Sequence, residues 1–333
     1  NFYKHKNDFG GPCTIKLRDV IAARAATNRS QFKLPENNVT DGYGRQGSIL
    51  VGVGTEDGKG NITAYATIRK DEAITQANRD YSACSLGAQV AGHFTCGGSS
   101  TSYPGRFTDF STYNFTVDST TGNTFRNFNS GLDQYNFGPL NYYQRPSKVY
   151  NFGALGHYEL NEHADVYTEL MLNDYRTIAQ IAPAGNFLGS TSTINCDNPL
   201  MSAQQLAGIG CDAAAIAAGT RVPMYIGRRN VEGGPRQDDI QLKSFRGVFG
   251  VAGSIAGDWN YDLSGQFSRV SQPQARNGYF VTTRMLRALD VVDGDPGSAV
   301  VPTCRSVVDG SDPSCVPWNI FQIGGVTPAA LAY

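Results

Sequence analysis

The feature of this sequence that most constrains its fold is an alternation of apolar and polar residues with a period of two. From Trp259 to Ser268, the odd positions carry Trp, Tyr, Leu, Gly and Phe, and the even positions carry only polar residues. Successive side chains of a β-strand point to opposite faces of its sheet, so this pattern predicts a strand with one apolar and one polar face. A similar run precedes it, and Gly257-Asp258 between them is typical of a tight hairpin turn.

Two further hairpins have the same pattern, and the runs together predict an all-β, antiparallel fold. The predicted strands lie near residues 1–5, 47–55, 61–70, 149–160, 165–174, 240–256 and 261–270. The turns inside the hairpins are short, whereas the connections between hairpins are long. The long connections cover residues 6–46, 71–148, 175–239 and 271–333.

This alternation of short turns and long loops places all the turns at one end of the sheet and all the loops at the other. Long loops are uncommon in compact soluble domains. Outer-membrane β-barrels have this layout, with short periplasmic turns, long extracellular loops and strands whose apolar side faces lipid. We therefore expect part of a transmembrane barrel. A large extracellular β protein with inserted loops is the alternative.

Composition excludes several functional classes. The chain has 28 Lys and Arg against 29 Asp and Glu, a net charge of −1, and no basic block, which argues against nucleic-acid binding. Apolar runs of about 20 residues are missing, so no transmembrane helix is predicted. The first residue is not Met, and both ends lack the signals of a natural terminus, which predicts a segment of a longer protein.

The seven cysteines predict local disulfides. Six of them form three close pairs, each within one long connection: Cys84 with Cys96, Cys196 with Cys211, and Cys304 with Cys315. Zinc sites need closely paired Cys or clustered His, and neither pattern occurs. Six cysteines allow 15 pairings, and proximity in sequence favours this one. Cys13 has no local partner. Within the connections, helical spacing predicts short helices over 14–26 and 282–292, and turn residues predict a hairpin over 108–128.

One stretch of the sequence resembles a known family. Residues 135–146, YNFGPLNYYQRP, resemble the YNF-P-NYYQRP stretch of TonB-dependent outer-membrane receptors of the proteobacterial type. Further similar stretches lie at 58–61, 79–84, 158–160, 164–167, 176–183 and 327–331, so the resemblance spans most of the chain. It implies a barrel of about 22 strands with a plugged lumen. The chain would then be an incomplete barrel, without the plug domain.

The resemblance also implies a function and partners. Such a receptor sits in the bacterial outer membrane, contacts lipid and lipopolysaccharide, and takes up a scarce nutrient such as a ferric siderophore or an oligosaccharide. Uptake is energised by the TonB–ExbB–ExbD complex, which would act through segments outside these residues. The second hypothesis is a non-transporting surface protein, an adhesin or an assembly subunit. An upstream plug domain and TonB box would discriminate between them.

Candidate ligand-binding residues lie in the long connections. The aromatic side chains Tyr135, Phe137, Tyr142 and Tyr143 are suited to a ligand vestibule, or else to loop packing or an interfacial girdle. The guanidinium groups of Arg228, Arg229 and Arg236 are suited to an anionic ligand such as a ferric chelate, or else to solvent or lipopolysaccharide contacts.

Other motifs carry weaker hypotheses. Asp290, Asp293 and Asp295 form a carboxylate-rich stretch, but the spacing is not that of an EF-hand, and we predict no metal site and no cofactor. No phosphate-binding loop, nucleophile elbow or zinc-protease motif occurs, so we predict no enzyme activity. Glu169, Asn173, Asp262 and Gln266 are expected on the polar, lumen-facing side of the sheet.

Overall fold

A computed structural model describes residues 3–6, 17–90, 93–189 and 191–333. Its main sheet contains six long strands, named here β1 to β6. They are β1 Gly44–Gly54, β2 Gly60–Asp71, β3 Ser147–Asn161, β4 Ala164–Pro183, β5 Pro235–Ala256 and β6 Trp259–Ser271. Each strand pairs antiparallel with the next one in sequence, and a seventh short strand, Gln274–Asn277, continues along β5. The antiparallel, β-rich fold and its three hairpins are confirmed.

The hairpin turns are built from residues suited to tight turns. Between β1 and β2, the Asp57 carboxylate accepts hydrogen bonds from the Thr55 side chain and the Lys59 backbone, and both lower the pKa of Asp57. Gly58 has a φ of +70° and Gly257, between β5 and β6, a φ of +60°, a left-handed conformation that favours glycine. These local preferences fix where each hairpin reverses.

Two strands are longer than the sequence pattern indicates. The predicted ends near 174 and 240 are wrong, because β4 continues to Pro183 and β5 begins at Pro235. The two strands keep one register from Asp165↔Ala252 to Ile181↔Arg236, and the register shifts before Pro183↔Pro235. Polar residues occupy much of this extension, so alternation gives little signal there. Cross-strand contacts such as that between Arg176 and Asp239 accompany the pairing instead.

Two glycines of the main sheet lie beneath tyrosine rings. Gly250 pairs directly with Tyr167, and a side chain at Gly250 would collide with that ring. Gly153 has the same relation to Tyr65 on β2. An aromatic ring that covers a glycine on the neighbouring strand compensates for the missing side chain and helps to fix the register.

The long connections fold into a second body. Parts of three of them form a six-stranded sheet and several short helices, which we call the loop module (residues 99–135, 184–234 and 279–333). Its strands are Arg106–Thr108, Asn114–Val117, Phe125–Asn127, Gly185–Asn186, Thr191–Asn195 and Arg221–Arg229. Its helices are Ser130–Asp133, Ala203–Gly208, Ala213–Ala217, Thr282–Leu289, Arg305–Val308 and Pro328–Ala332, with a 3₁₀ turn at Val231–Gly233.

The loop module has its own hydrophobic core. Fully buried side chains from all three connections meet there, including Phe107, Ile194, Ile226, Leu289 and Phe321. Burying this much apolar surface stabilises the connections against the entropy cost of ordering them. The long loops therefore contain a packed body, which the spacing of hairpins alone did not indicate.

All three predicted disulfides are present. Cys196–Cys211 and Cys304–Cys315 lie in the core of the loop module, and Cys84–Cys96 lies in a separate small cluster with Ile21 and Phe32. Cys13 lies outside the described residues.

The predicted elements of the connections are largely confirmed. The first helix is Leu17–Thr27, with 14–16 outside the described residues, the second ends at Leu289 rather than 292, and the hairpin over 108–128 is present. Tyr3–Lys6 pairs with Asn38–Asp41, and residues 1 and 2 lie outside the described residues. The remaining small pairs are Ile74–Thr75 with Tyr142–Gln144, Ser85–Val90 with His93–Gly97, and Val291–Asp293 with Pro302–Cys304, and a 3₁₀ turn covers Gln76–Asn78.

Candidate functional site

One face of the main sheet, the apolar face, is exposed. Its side chains come from all six strands and include most of the exposed large apolar residues of the sheet, among them Trp259 at 77%, Leu263 at 71% and Ile255 at 68%. Soluble monomers rarely expose an apolar area of this extent, and such areas mark contact with lipid or another protein. The apolar face comprises Ile49, Val51, Val53, Ile62, Ala64, Ala66, Ile68, Tyr150, Phe152, Tyr158, Leu160, Val166, Leu170, Leu172, Phe245, Phe249, Val251, Ile255, Trp259, Leu263 and Phe267.

A row of cationic side chains borders the apolar face on the side of the loop module. We call it the basic row: Arg45, Lys70, Lys148, Arg176, Lys243 and Arg269. The first four are directly paired with one another across β1 to β4. Lys243 on β5 lies two residues along the strands from this row, and Arg269 on β6 lies four residues from it, both toward the apolar residues. A border that steps across the register in this way is expected where strands are tilted relative to the plane they cross.

The opposite face, the polar face, is lined with hydrogen-bonded side chains. Arg246 donates to Glu169 at 2.8 Å and to Gln266 at 3.0 Å, and the Tyr167 hydroxyl donates to Asp262 at 2.7 Å. Asn173 lies on the same face and donates to Asn151 on the neighbouring strand. The four residues expected to share a polar face therefore do so, although Leu50, Leu155, Met171 and Val270 are apolar side chains on this face.

Two neighbouring arginines are buried in the loop module. The Arg228 side chain is 2% exposed, and its two terminal nitrogens donate to the Glu232 carboxylate at 2.6 and 3.1 Å. The guanidinium also lies 5.3 Å from the Trp318 ring centre and 5.5 Å from that of Tyr103. Because its charge is already paired and its faces are covered, Arg228 joins parts of the module that are distant in sequence.

The second arginine, Arg229, has a different environment. It donates to the Pro183 carbonyl at 3.1 Å and lies 5.6 Å from the Tyr135 ring centre and 5.1 Å from that of Phe187. Burial lowers the pKa of Arg229, and the nearby charge of Arg236 lowers it further. Burial also raises the pKa of Tyr135. Here the structure brings a predicted aromatic ligand residue and a predicted cationic one together, inside the module.

The other predicted ligand residues are dispersed. Tyr143 is 57% exposed and meets Tyr81 edge to face at 5.6 Å, whereas Phe137 and Tyr142 are half-buried. Arg236 lies near the Tyr279 ring. Within the described ranges, no ring contact or hydrogen bond joins Tyr142 or Tyr143 to the three arginines. A ligand role for these residues stays a prediction.

The carboxylates of Asp290, Asp293 and Asp295 are all engaged in ion pairs or hydrogen bonds. Asp290 forms ion pairs with Arg221 at 2.5 Å and Arg305 at 3.1 Å, and Asp293 accepts hydrogen bonds from the backbone nitrogens of Asp295 and Val301. In the part of the chain that the structure describes, no group of three His, Cys, Asp or Glu is placed to hold a metal ion.

A cleft that the sequence did not indicate lies where the polar face meets the long connections. We call it the arginine cleft, and it has a volume of about 560 Å³. Its lining consists of Gly42, Gly44, Arg45, Gln46, Arg69, Asp71, Gln144 and Arg145. These residues come from three separate stretches of sequence. The register of β1 with β2 brings residues 44–46 next to Arg69 and Asp71, and Gln144 and Arg145 lie just before β3, which pairs with β2.

Comparisons of this chain with protein-family models, with curated proteins and with solved structures found no match. Over the described ranges, helices are too short or too polar to cross a membrane.

Proposed function

We propose that this chain is part of a TonB-dependent outer-membrane receptor that takes up a scarce nutrient, such as a ferric siderophore or an oligosaccharide, through a plugged barrel. The observation that carries the proposal is the exposed apolar face of the main sheet, on strands whose opposite face is polar. Backbone groups inside a bilayer must be satisfied within the protein, so a sheet crosses a membrane only as part of a closed barrel. The remaining strands and the plug would come from outside these residues.

The height of the apolar face supports this proposal. On β5 the apolar positions run from Phe245 to Ile255, which corresponds to about 34 Å at about 3.4 Å per residue. A strand tilted by about 40° then spans a band about 26 Å high. Outer-membrane barrels carry an apolar band about 25 Å tall.

The basic row supports one orientation in the membrane. It lies on the edge of the apolar face nearest the loop module, where lipid head groups would be. Cations at this level attract anionic lipid phosphates, including those of lipopolysaccharide. In this orientation the loop module is extracellular and the three short hairpin turns are periplasmic. The TonB–ExbB–ExbD complex would act on the plug from the periplasmic side.

Membrane insertion is tested by charges placed on adjacent residues of β6 that lie on opposite faces. Leu263→Lys places a charge in the middle of the apolar face, and Ser264→Lys places the same charge on the polar face. We expect the purified product of the intact gene, which would include the remaining strands, to float with phospholipid vesicles. We expect L263K to lower its free energy of unfolding in those vesicles by about 2–4 kcal/mol, and S264K by less than about 1 kcal/mol.

A different result would favour the non-transporting alternative. If the purified product of the intact gene stays monodisperse in buffer without detergent and does not float with vesicles, the outer-membrane proposal is wrong. Transport itself is tested in cells that carry the intact gene, by uptake of ferric chelates and oligosaccharides with and without a proton uncoupler. Uptake that is insensitive to the uncoupler would contradict energised transport.

A further inference from the structure

We propose that the arginine cleft binds a small soluble anion that carries at least two carboxylate or phosphate groups. The cleft does not include any of the aromatic or cationic residues that the sequence suggested as ligand contacts. Binding there follows from the charges and shape of the cleft and does not require transport.

The register of the main sheet places the cleft residues. Gln46 on β1 pairs directly with Arg69 on β2, so their side chains lie next to each other on the polar face. Asp71 follows two residues later on the same face. Gln144 and Arg145 come just before β3 and close the cleft from the side of the loop module. Backbone pairing rather than flexible loop contacts therefore holds the floor of the cleft.

The turn that leads into β1 shapes the entrance. Gly42 is buried and has a φ of +66°, a left-handed conformation that favours glycine. This turn brings the chain from the strand Asn38–Asp41 into β1 and sets Arg45 at the rim. Arg45 therefore forms the β1 end of the basic row and is also part of the cleft lining.

The charges in the cleft are unbalanced. Asp71 accepts from the Arg69 side chain at 2.9 Å and from the Ser147 hydroxyl at 3.0 Å, so this carboxylate is engaged. Arg45 and Arg145 are exposed, and neither has an acidic partner among the described residues. Arg45 at the rim and Arg145 therefore bring two positive charges without acidic partners to the cleft, and Asp71 is the only carboxylate among its described lining residues.

The chemistry of the lining selects the ligand class. A guanidinium presents a planar fork of donors that matches the oxygens of carboxylate and phosphate groups. The side-chain amides of Gln46 and Gln144 add neutral groups that can orient such a ligand. The volume lies within the usual range for small-molecule sites. Because the floor of the cleft is on the polar face, a soluble anion fits better than a lipid head group.

Calorimetric titration of the purified 333-residue chain in detergent tests the proposal, with citrate and inorganic phosphate as probes at low ionic strength. We expect saturable binding of at least one probe at one site per chain. Arg45→Gln and Arg145→Gln are each expected to weaken that binding tenfold or more. The matched control is Arg269→Gln, which removes an exposed arginine from the apolar face, and it is expected to change binding less than twofold.

Three outcomes would overturn the proposal. One is the absence of saturable binding by either probe. Another is an equal loss in R45Q, R145Q and R269Q, which would indicate general attraction to a positive surface. The third is displacement of bound citrate by micellar phosphatidylglycerol at a lower concentration of phosphate groups than inorganic phosphate needs for the same displacement. That result would assign the cleft to lipid. Circular dichroism of each variant confirms folding. Probe binding by this chain, together with a product of the intact gene that fails to float with vesicles, would support the cleft and contradict the outer-membrane proposal.

Discussion

The buried pair of Arg228 and Glu232 shows how single residues hold the loop module together. The arginine is held by two hydrogen bonds to one carboxylate and by the rings of Tyr103 and Trp318. A buried ion pair contributes little net stability compared with apolar residues, but removing one partner leaves an uncompensated buried charge. The role that this geometry supports is therefore structural.

Removing the carboxylate gives a prediction at this scale. Glu232→Gln leaves Arg228 without its charge partner, and we expect the free energy of unfolding of the loop module to fall by about 3 kcal/mol. Arg221→Gln is the control, because it breaks the more exposed pair with Asp290 inside the loop module, and such pairs contribute about 0–1 kcal/mol. Urea unfolding followed by Trp318 fluorescence in a Trp259→Phe background measures both. Equal losses in the two variants would contradict a buried, paired arginine.

Residue types alone did not identify these roles. The arginines were visible in the sequence as candidate anion ligands, but several of the rings that cover them come from other connections, and no local pattern joins Arg228 to Trp318. The arginine cleft was missed for the same reason, since Gln46 and Arg69 become neighbours only through the register of β1 and β2.

At the scale of single elements, two glycines of the main sheet, Gly153 and Gly250, are covered by tyrosine rings of the neighbouring strands. Gly250 on β5 is covered by Tyr167, whose hydroxyl also donates to Asp262. We expect Gly250→Val to displace this ring and to lower the free energy of unfolding of the sheet by about 1–3 kcal/mol. Gly265→Val on β6 is the control, because a side chain there meets open space.

Urea unfolding followed by Trp259 fluorescence in a Trp318→Phe background measures both glycine variants. A loss in G265V as large as that in G250V would show that valine destabilises these strands by a route other than displacement of Tyr167.

The strands could be predicted where alternation is strong and less well elsewhere. From Trp259 to Ser268 on β6 the period of two is unbroken, and the predicted strand lies close to the observed one. Beyond Asp174 on β4, both faces carry polar residues, so hydrophobicity has no period to reveal the strand. Pairing with β5 continues there through backbone hydrogen bonds and polar side chains, which a single sequence does not display.

For the whole molecule, the main feature is the division into a main sheet and a loop module with its own core. Two of the three disulfides lie in that core. The cysteine pairs were predictable because each closes a short loop. The core was not, because its buried residues come from three connections far apart in sequence, and their packing depends on tertiary contacts.

This division predicts two separate unfolding transitions in detergent. Trp318 lies in the core of the loop module and Trp259 on the apolar face, so single-tryptophan variants report the two bodies separately. We expect a reductant to lower the stability reported by Trp318 by about 3 kcal/mol for each disulfide lost. The transition reported by Trp259 should stay unchanged, because the six long strands contain no cysteine. Equal shifts of both transitions would show that the sheet and the module unfold together.

The outer strands of the main sheet have a consequence for any assembly that contains it. Within the described ranges, β1 pairs only with β2 and β6 only with β5, so residues 45–54 of β1 and the whole of β6 have no neighbouring strand on one side, and their amide and carbonyl groups point outward there. In water such groups bind solvent, but in hydrocarbon they have no alternative partner. A bilayer therefore admits this sheet only with companions that supply a strand to each side.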